Sequence, residues 1–317
     1  HVEVARVLLK HGADVDKTRD DGTTPLMIAC THNFVDVARV LLENGADSNK
    51  HVSHTSPLYH ACESNNVDAV QLLLDHDANV CAAMPDGSLP LHVASELCHA
   101  EIVSLLLGKG AEINQTKHDG NSALSLACMR GHVDVVRQLL ANGVDLNRAN
   151  SAAAASPLYA AFAEGHLEVA EWLLDEGDDV DYAPNKEGRT LLFLAVQHRD
   201  YHTALCLLQH GADVDRSDDS GATTLHFAAE NGDEKAIALL VNHGATIDQA
   251  DDDGNTPLYY ACRKDNLDAA RRLCDLGADV NQTNRAGVSP LRIACENGHV
   301  LVARLLLEDY GADATLA

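Results

Sequence analysis

A four-residue pattern recurs nine times along the chain at an almost constant interval. Its first residue is Thr or Ser in every copy except one, where it is Leu89, and its third residue is always Leu. Successive copies lie 32, 33, 33, 34, 34, 33, 33 and 33 residues apart. Such a period indicates an array in which each unit buries its apolar face only against its neighbours. The second residues of the nine copies are Pro25, Pro57, Pro90, Ala123, Pro157, Leu191, Thr224, Pro257 and Pro290.

Each copy of this pattern predicts the start of a short inner helix. The Thr or Ser hydroxyl accepts a hydrogen bond from the first turn, and Pro costs nothing at a position whose N–H has no partner. A second, outer helix follows, for example over 35–43, where apolar residues recur at helical spacing. Gly45 then ends this helix, because glycine accepts the left-handed conformation that follows a helix. The apolar face of the outer helix consists of Val37, Ala38, Leu41 and Leu42.

A glycine stop and a turn separate each helix pair from the next. Gly-Ala-Asp or a close variant follows the outer helices, as at Gly45-Ala46-Asp47 and Gly277-Ala278-Asp279. Asp-Gly pairs such as Asp21-Gly22 and Asp253-Gly254 then precede the next copy of the pattern. Because such pairs favour tight turns, the sequence predicts a β-turn finger between helix pairs.

The order of helix, turn, helix, Gly-Ala-Asp and finger at a period of 33 resembles the ankyrin repeat family along the entire chain. The resemblance implies an all-α repeat fold, an α-solenoid of helix-turn-helix units with β-turn or hairpin fingers. We expect a single ankyrin repeat domain over 1–317, in which a partial repeat at 1–16 precedes about nine repeats. Because His1-Val2-Glu3-Val4 resembles the start of an outer helix, we also expect a fragment of a longer chain.

The composition disfavours several classes of partner. The chain has 23 Lys and Arg against 48 Asp and Glu, a net charge of −25. Phosphate backbones and anionic lipids attract positive charge, so we expect a protein partner and no nucleic acid. No apolar run approaches the roughly 20 residues that cross a bilayer, so we expect no membrane insertion. We expect the chain to be monomeric.

The cysteines indicate a compartment and a structural role. Nine cysteines, an odd number without a C-x-x-C pair, indicate a reducing compartment, the cytoplasm or the nucleus. Five of them share one slot of the inner helix and are expected to be buried, with raised thiol pKa values that make them poor nucleophiles. These five are Cys30, Cys62, Cys128, Cys262 and Cys295.

The remaining polar residues do not form a known catalytic or metal-binding motif. Most of the eighteen histidines occupy repeated slots and resemble the structural histidines of the family, so we expect no metal site and no cofactor. Asp218-Asp219 and Asp251-Asp252-Asp253 lack the ligand spacing of a calcium loop and are interpreted as solvated turn acids. Without a phosphate-binding glycine loop or a Gly-x-Ser-x-Gly elbow, we expect no catalytic residue and no enzyme activity.

Charge is distributed unevenly along the chain. Residues 164–181 contain eight acids and no base, whereas 263–304 contain seven bases and five acids. One hypothesis is an acidic peptide bound near the C-terminal bases and a basic partner bound near the middle. The alternative is solvated charge that keeps the array soluble. The C-terminal bases of the first hypothesis are Arg263, Lys264, Arg285 and Arg292.

Aromatic residues at the end of the pattern also have two interpretations. Tyr and Phe are favoured at interface cores, which would make them a partner-binding stripe. The alternative is packing between repeats, with the hydroxyl groups at the rim. The residues are Tyr59, Tyr159, Phe193, Tyr259 and the adjacent Tyr260.

The resemblance implies a non-catalytic scaffold that binds a protein or peptide along a concave groove with its fingers and inner helices. The alternative is the substrate-targeting region of a larger enzyme, such as a ubiquitin ligase or a kinase, whose catalytic part lies outside this chain. A third interpretation is modification, because Asn49, Asn114, Asn147 and Asn281 resemble ankyrin asparagines that a dioxygenase hydroxylates, although their spacing is also that of the repeat. The candidate partner contacts occupy the slots after each finger and inner helix: Lys186, Glu187, Arg189, Gln197, His198, Asp219, Ser220, Glu230, Asn231, Asp252, Asn255, Arg263, Lys264, Arg285, Arg292, Glu296 and Asn297.

Overall fold

The computed structural model describes residues 1–51, 55–146, 156–183 and 187–317. These residues form nineteen α-helices in two compact units, unit 1 (His1–Asp178) and unit 2 (Asp179–Ala317). Unit 1 contains α1 (Val2–Lys10), α2 (Pro25–Thr31), α3 (Val35–Glu43), α4 (Pro57–Glu63), α5 (Val67–Asp75), α6 (Pro90–Glu96), α7 (Ala100–Gly108), α8 (Ala123–Met129), α9 (Val133–Ala141), α10 (Pro157–Ala163) and α11 (Leu167–Asp175). Unit 2 contains α12 (Leu191–Gln197), α13 (Tyr201–Gln209), α14 (Thr224–Glu230), α15 (Glu234–Asn242), α16 (Pro257–Arg263), α17 (Leu267–Asp275), α18 (Pro290–Glu296) and α19 (Val300–Arg304). The predicted all-α repeat architecture is confirmed, and the single domain over 1–317 stays a prediction.

The helices alternate between two roles along the chain. The even-numbered inner helices have seven residues each, and the odd-numbered outer helices have nine, except α19. Within a unit, an inner helix packs against the outer helix of its own repeat and against the next inner helix, as α14 does against α15 and α16. After α19 the chain continues as a π-helical stretch, Leu305–Asp309, and a 3₁₀ turn, Ala314–Leu316. The buried face of a repeat is therefore completed by its neighbour in the same unit.

Thr and Ser side chains begin the inner helices as predicted. The Oγ1 of Thr24 accepts the N–H of Met27 at 3.1 Å, and the Oγ of Ser289 accepts the N–H of Arg292 at 3.0 Å. Leu89 has no hydroxyl, and there the Nδ1 of His92 accepts the N–H of Leu89 at 2.9 Å. At this helix start a side chain inside the helix therefore satisfies a backbone N–H of the residue before it.

The leucine of the pattern and the apolar face of the outer helix fill the core. All nine pattern leucines are at most 1% exposed. On α3, Ala38, Leu41 and Leu42 are buried as predicted, and Val37 is half-buried. Burying a leucine side chain is worth about 1.5–3 kcal/mol relative to leaving it exposed, so the repeated leucine is a large contribution to stacking. Gly45 ends α3 in the left-handed conformation, with φ of 88°.

The described fingers of unit 2 are tight turns, and neighbouring ones contact each other. In the finger at 218–222, the N–H of Gly221 donates to the carbonyl of Asp218 at 2.9 Å. The N–H of Asp252 in the next finger donates to the carbonyl of Ser220 at 3.1 Å. The predicted β-turn fingers are confirmed, and a backbone hydrogen bond joins each described finger of unit 2 to its neighbour. The equivalent bonds run from Asp219 to Glu187 and from Arg285 to Asp253.

Histidines form hydrogen bonds between repeats, as their register predicts. The Nε2 of His132 lies 2.9 Å from the carbonyl oxygen of Glu96, and that of His299 lies 3.1 Å from the carbonyl oxygen of Arg263. These bonds join the turn between two helices to the end of the preceding inner helix. They satisfy carbonyl groups that the helix itself leaves without a partner.

The shared cysteine slot is buried in four of its five copies. Cys30, Cys62, Cys128 and Cys262 are 0% exposed, and burial raises the pKa of the Cys30 thiol to about 12. Cys295 is exposed, so the expectation of a buried core residue is wrong at this position. The reason is that another inner helix packs beyond each of the four buried copies, whereas no inner helix follows α18 among the described residues.

Replacing Gly221 with Ala should destabilise unit 2 more than replacing Gly211 with Ala. Both glycines have positive φ, 78° and 85°, so both alanines introduce backbone strain of about 1 kcal/mol. Only at Gly221 does an added Cβ meet a backbone atom, the nitrogen of Asp252 at 2.7 Å. We expect Gly221→Ala to cost about 2–4 kcal/mol in total and to lower the urea midpoint further than the control does. Equal midpoints would contradict the finger contact.

Two buried histidines should make stability fall in acid. The Nδ1 of His92 and of His226 accepts a backbone N–H, at 2.9 and 3.0 Å, and the Nε2 of each faces a carbonyl oxygen, so both rings are neutral. Burial lowers the pKa of both rings below the ordinary histidine value of about 6.5. The unfolded chain therefore binds more protons, and stability is lost as the pH falls below about 6.5 towards the lowered folded pKa values.

This acid effect is measured as the urea midpoint at pH 7.5, 6.5 and 5.5. The control is the double variant His92→Ser, His226→Ser, because Ser125 occupies the same slot and its Oγ accepts the N–H of Ser122 at 2.8 Å. We expect the variant to be less stable at pH 7.5 and to lose less stability between pH 6.5 and 5.5 than the native chain. Parallel pH profiles would show that other groups cause the acid sensitivity.

Candidate functional site

The fourth residue of the inner helix distinguishes unit 2 from unit 1. In unit 2 this position is always large, apolar or aromatic, and half-buried. In unit 1, Val93, Leu126 and Ala160 occupy it and are only 8%, 5% and 3% exposed, whereas Ile28 and His60 are half-buried there. Unit 2 alone therefore presents a half-exposed residue of this kind from every one of its inner helices. We call this set the apolar row: Leu194, Phe227, Tyr260 and Ile293.

Neighbouring rings fix the two aromatic members of the apolar row. The ring centroid of Phe227 lies 4.7 Å from that of Phe193. The ring of Tyr260 packs edge-on against His226 at 5.5 Å and against Tyr259 at 6.1 Å. Both interpretations of the aromatic residues thus find support in this unit. The rings pack between repeats, and Phe227 and Tyr260 each keep one accessible side that a partner could contact.

The ends of the inner helices form a second row beside the first. The guanidinium of Arg263 lies over the ring of Tyr260, 4.5 Å from its centroid, and donates to the carboxylate of Glu230 at 2.8 Å. Lys264 lies 3.4 Å from the same carboxylate. The helix-end row consists of these residues and their equivalents in the other repeats: Gln197, His198, Glu230, Asn231, Arg263, Lys264, Glu296 and Asn297.

The predicted C-terminal bases are largely compensated by carboxylates. Arg263 and Lys264 share Glu230, and the Nε of Arg292 lies 2.8 Å from the carboxylate of Glu296. Arg285 is the exception, because it is exposed on a finger and forms no ion pair with a described residue. These pairs weaken the electrostatic argument for an acidic peptide at this end of the chain, since little net positive charge is left to attract it.

Four of the candidate contacts meet in one cleft between two fingers of unit 2. The cleft has a volume of about 320 Å³. The guanidinium of Arg189 lies 2.8 Å from the carboxylate of Glu187 and 4.6 Å from the ring centroid of Phe193, so one side chain links the finger to the inner helix. Lys186, the adjacent candidate, lies outside the described residues. The lining residues are Glu187, Arg189, Asp218, Asp219 and Ser220, of which Asp218 was not among the candidates.

The acids of the finger at 251–255 have two different roles. Asp251 is 7% exposed and accepts hydrogen bonds from the Asn255 backbone at 2.8 Å and from the Tyr260 hydroxyl at 2.7 Å. Burial alone would raise its pKa, but the bonds from Tyr260 and Asn255 outweigh it and hold the pKa of Asp251 below its usual value. The interpretation of all these residues as solvated turn acids is therefore wrong for Asp251. Asp252 and Asp253 are exposed.

The same division holds in the preceding finger and removes one candidate contact. Asp218 Oδ1 accepts the N–H of Ser220 at 2.9 Å, whereas Asp219 is exposed. Asn255 is only 6% exposed, donates to Asp251 at 3.0 Å and accepts from Asn284 at 2.8 Å. The side chain of Asn255 is thus used within the fingers, and we leave it out of the contact surface.

A second cleft, of about 310 Å³, lies between two fingers of unit 1. Its lining includes Cys81, Leu89 and His118. The neighbouring fourth positions in this part of unit 1, Val93 and Leu126, are buried. At the fourth position, the inner helices beside this cleft therefore present no half-buried apolar side chain, which makes unit 2 the stronger candidate for binding.

The asparagines singled out for modification bind the next repeat through their side chains. The Oδ1 of Asn49 accepts the N–H of Asn79 at 2.7 Å, that of Asn114 accepts the N–H of Asp145 at 2.9 Å, and that of Asn281 accepts the N–H of Asp313 at 2.8 Å. Asn147 lies outside the described residues. These bonds assign Asn49, Asn114 and Asn281 a structural role between repeats, and their hydroxylation stays a prediction.

Replacing Asp251 with Asn should destabilise unit 2, whereas replacing its neighbour Asp252 with Asn should not. At position 251 an amide group would place an N–H₂ against the donating side chains of Asn255 and Tyr260, with an expected cost of about 1–3 kcal/mol. Asp252 is exposed and its side chain has no partner among the described residues. Thermal unfolding of the two variants followed by circular dichroism tests this difference. A similar loss in both would contradict the two roles.

Comparison with known proteins agrees with the geometry. Among the described residues, no helix has the length and apolar character that a membrane span requires. No curated protein matches the chain at a significant level. The model of ankyrin repeats, which describes three copies at a time, matches residues 1–52, 48–117, 109–184, 179–251 and 225–317. Because these matches cover the whole sequence and the helix pairs, glycine stops and fingers recur in the same register, the chain belongs to the ankyrin repeat family.

Proposed function

We propose that the chain is a non-catalytic protein-binding module whose contact surface lies in unit 2. Ankyrin repeats generally act as protein–protein interaction modules. The surface consists of the apolar row, the helix-end row and the exposed finger residues Glu187, Asp219, Ser220, Asp252 and Arg285, with Arg292 beside them. It takes up a segment of another protein, and not nucleic acid, because the chain carries a net charge of −25.

The observation that carries this proposal is the half-exposed apolar row. Large apolar or aromatic side chains occur at the same position of α12, α14, α16 and α18, and packed neighbours hold the rings of Phe227 and Tyr260 in place. Ordered aromatic side chains surrounded by polar groups are typical of the residues that dominate binding energy at interfaces. Because their positions are set by helix packing, little conformational entropy is lost when a partner binds.

The environment of the reactive residue types supports a binding role without catalysis. Burial raises the pKa of the thiols of Cys62 and Cys262, so neither provides a thiolate near neutral pH. Both ring nitrogens of His92 and of His226 are used in hydrogen bonds within the fold. We place the protein in the cytoplasm or nucleus on the strength of its buried free thiols. As a targeting region of a larger enzyme, it would select the substrate through the same surface.

The test is binding of peptides selected from a random 16-residue display library with the full chain as bait. Phe227→Ala should weaken the selected peptides about tenfold or more, because it removes a central apolar contact of the row. The matched control is Phe34→Ala, since Phe34 is 44% exposed but lies in unit 1, at the start of an outer helix. Isothermal titration gives the affinities, and circular dichroism confirms that both variants are folded.

The control should bind the selected peptides as the native chain does. If no peptide is selected, or if all selected peptides bind the Phe227→Ala variant with unchanged affinity, the apolar row is not the binding surface.

A further inference from the structure

We infer that the segment bound on the apolar row carries basic side chains along the edge that faces the fingers. This inference rests on the proposed function and adds the chemistry and orientation of the partner. It follows from how charge is arranged on the two sides of the row. One side is formed by the fingers and the other by the ends of the inner helices.

The finger side carries uncompensated negative charge. Asp219, Asp252 and Asp253 are exposed, and their carboxylates have no hydrogen bond or ion pair within the described parts of the chain. Among the described finger residues, Arg285 is an exposed base, and Arg189 is paired with Glu187 at 2.8 Å. These carboxylates lie at the rim, so they lose little hydration when a partner binds beside them. A positively charged partner is attracted and oriented by them.

The helix-end side is internally balanced. Glu230 lies within 2.8 Å of Arg263 and 3.4 Å of Lys264, and Arg292 lies 2.8 Å from Glu296. Acids and bases that already pair with each other exert little field on a neighbouring segment. The two edges therefore differ in net charge. This difference determines which edge of the apolar row the basic side chains of a bound segment face.

The exposed carboxylates are not needed to build the fingers. In each finger the preceding aspartate serves the turn: Asp218 accepts the N–H of Ser220, and Asp251 accepts the N–H of Asn255. Asp219 and Asp252 each donate a backbone N–H to a carbonyl of the previous finger. Their carboxylates take no part in this contact. Their charge is therefore available to a partner at no cost to the fold.

The spacing of the row fits a short extended segment. Packed helices lie about 8–10 Å apart, so three steps from Leu194 to Ile293 span roughly 27 Å. An extended chain covers that distance with about eight residues, since each residue spans about 3.3 Å. Successive side chains of such a segment point to opposite faces, so every second residue can lie on the row, and the long flexible side chains of Lys or Arg at the intervening positions can reach the fingers. A 16-residue peptide is therefore long enough to contact all four repeats.

The experiment uses the peptides selected on the native chain and the triple variant Asp219→Asn, Asp252→Asn, Asp253→Asn. We expect the selected sequences to be enriched in Lys and Arg and to bind the triple variant about tenfold more weakly, as loss of three rim contacts predicts. Raising NaCl from 50 to 300 mM should weaken binding to the native chain more than binding to the triple variant.

The matched control is Asp36→Asn, Asp68→Asn, Asp268→Asn, which removes the same charge from exposed positions in the first turns of the outer helices α3, α5 and α17. It should bind the peptides with nearly native affinity. Selected peptides that lose affinity on Phe227→Ala but carry no excess of basic residues would overturn the inference and leave the proposed function intact. Equal weakening by the control would also overturn it, because net charge alone would then account for the effect.

Discussion

The contact between one helix pair and the next is the interaction on which the rest of this structure depends. Each repeat buries its pattern leucine completely, but it does so with the help of its neighbour, because a seven-residue and a nine-residue helix enclose too little volume alone. Two kinds of hydrogen bond fix the register between neighbouring helix pairs. Backbone bonds join the fingers, and side-chain bonds join the loops that follow successive outer helices. One such bond runs from the N–H of Thr246 to the carboxylate of Asp215 at 2.9 Å.

This requirement explains why neighbouring residues of similar chemistry behave differently. In the finger at 251–255 the first aspartate is enclosed by the fold and its hydrogen bonds hold it ionised, whereas the following acids face water. In α14 the third residue, His226, is buried against the next repeat, whereas the fourth, Phe227, stays half-buried. Structural positions and proposed contact positions thus alternate within a few residues, so the fold is held constant while the surface differs from repeat to repeat.

The repeat architecture was predictable from the sequence because its signals are local and recur nine times. The helix starts, the glycine stops and the fingers each depend on residue types whose effect does not need the rest of the fold. Even the departure at Leu89 could be identified, although the hydrogen bond from the Leu89 N–H to His92 could not. The exposure of Cys295 was missed because burial in this slot depends on a following inner helix and not on the cysteine itself.

The proposed binding surface was only partly predictable. Register alone put Glu187, Arg189, Asp219 and Ser220 among the candidates, and the structure brings these four together in one cleft. Register could not predict the ion pairs, because the charges of Arg263 and Lys264 are compensated by Glu230, some thirty residues earlier in the chain. The apolar row was overlooked although a signal existed: the residue after the four-residue pattern is large, apolar or aromatic in each of the last four copies. Its meaning depends on exposure, which a sequence pattern does not give.

The division of roles between Asp251 and Asp252 has a consequence for how proteins of this kind change over generations. A substitution at the first position is opposed by selection for folding, whereas one at the second leaves the fold unchanged and, under the proposed function, alters only which partner the surface attracts. Adjacent codons are thus under different constraints. Partner choice in such an array is free to drift or adapt by single steps, one finger at a time, without passing through an unstable ancestor.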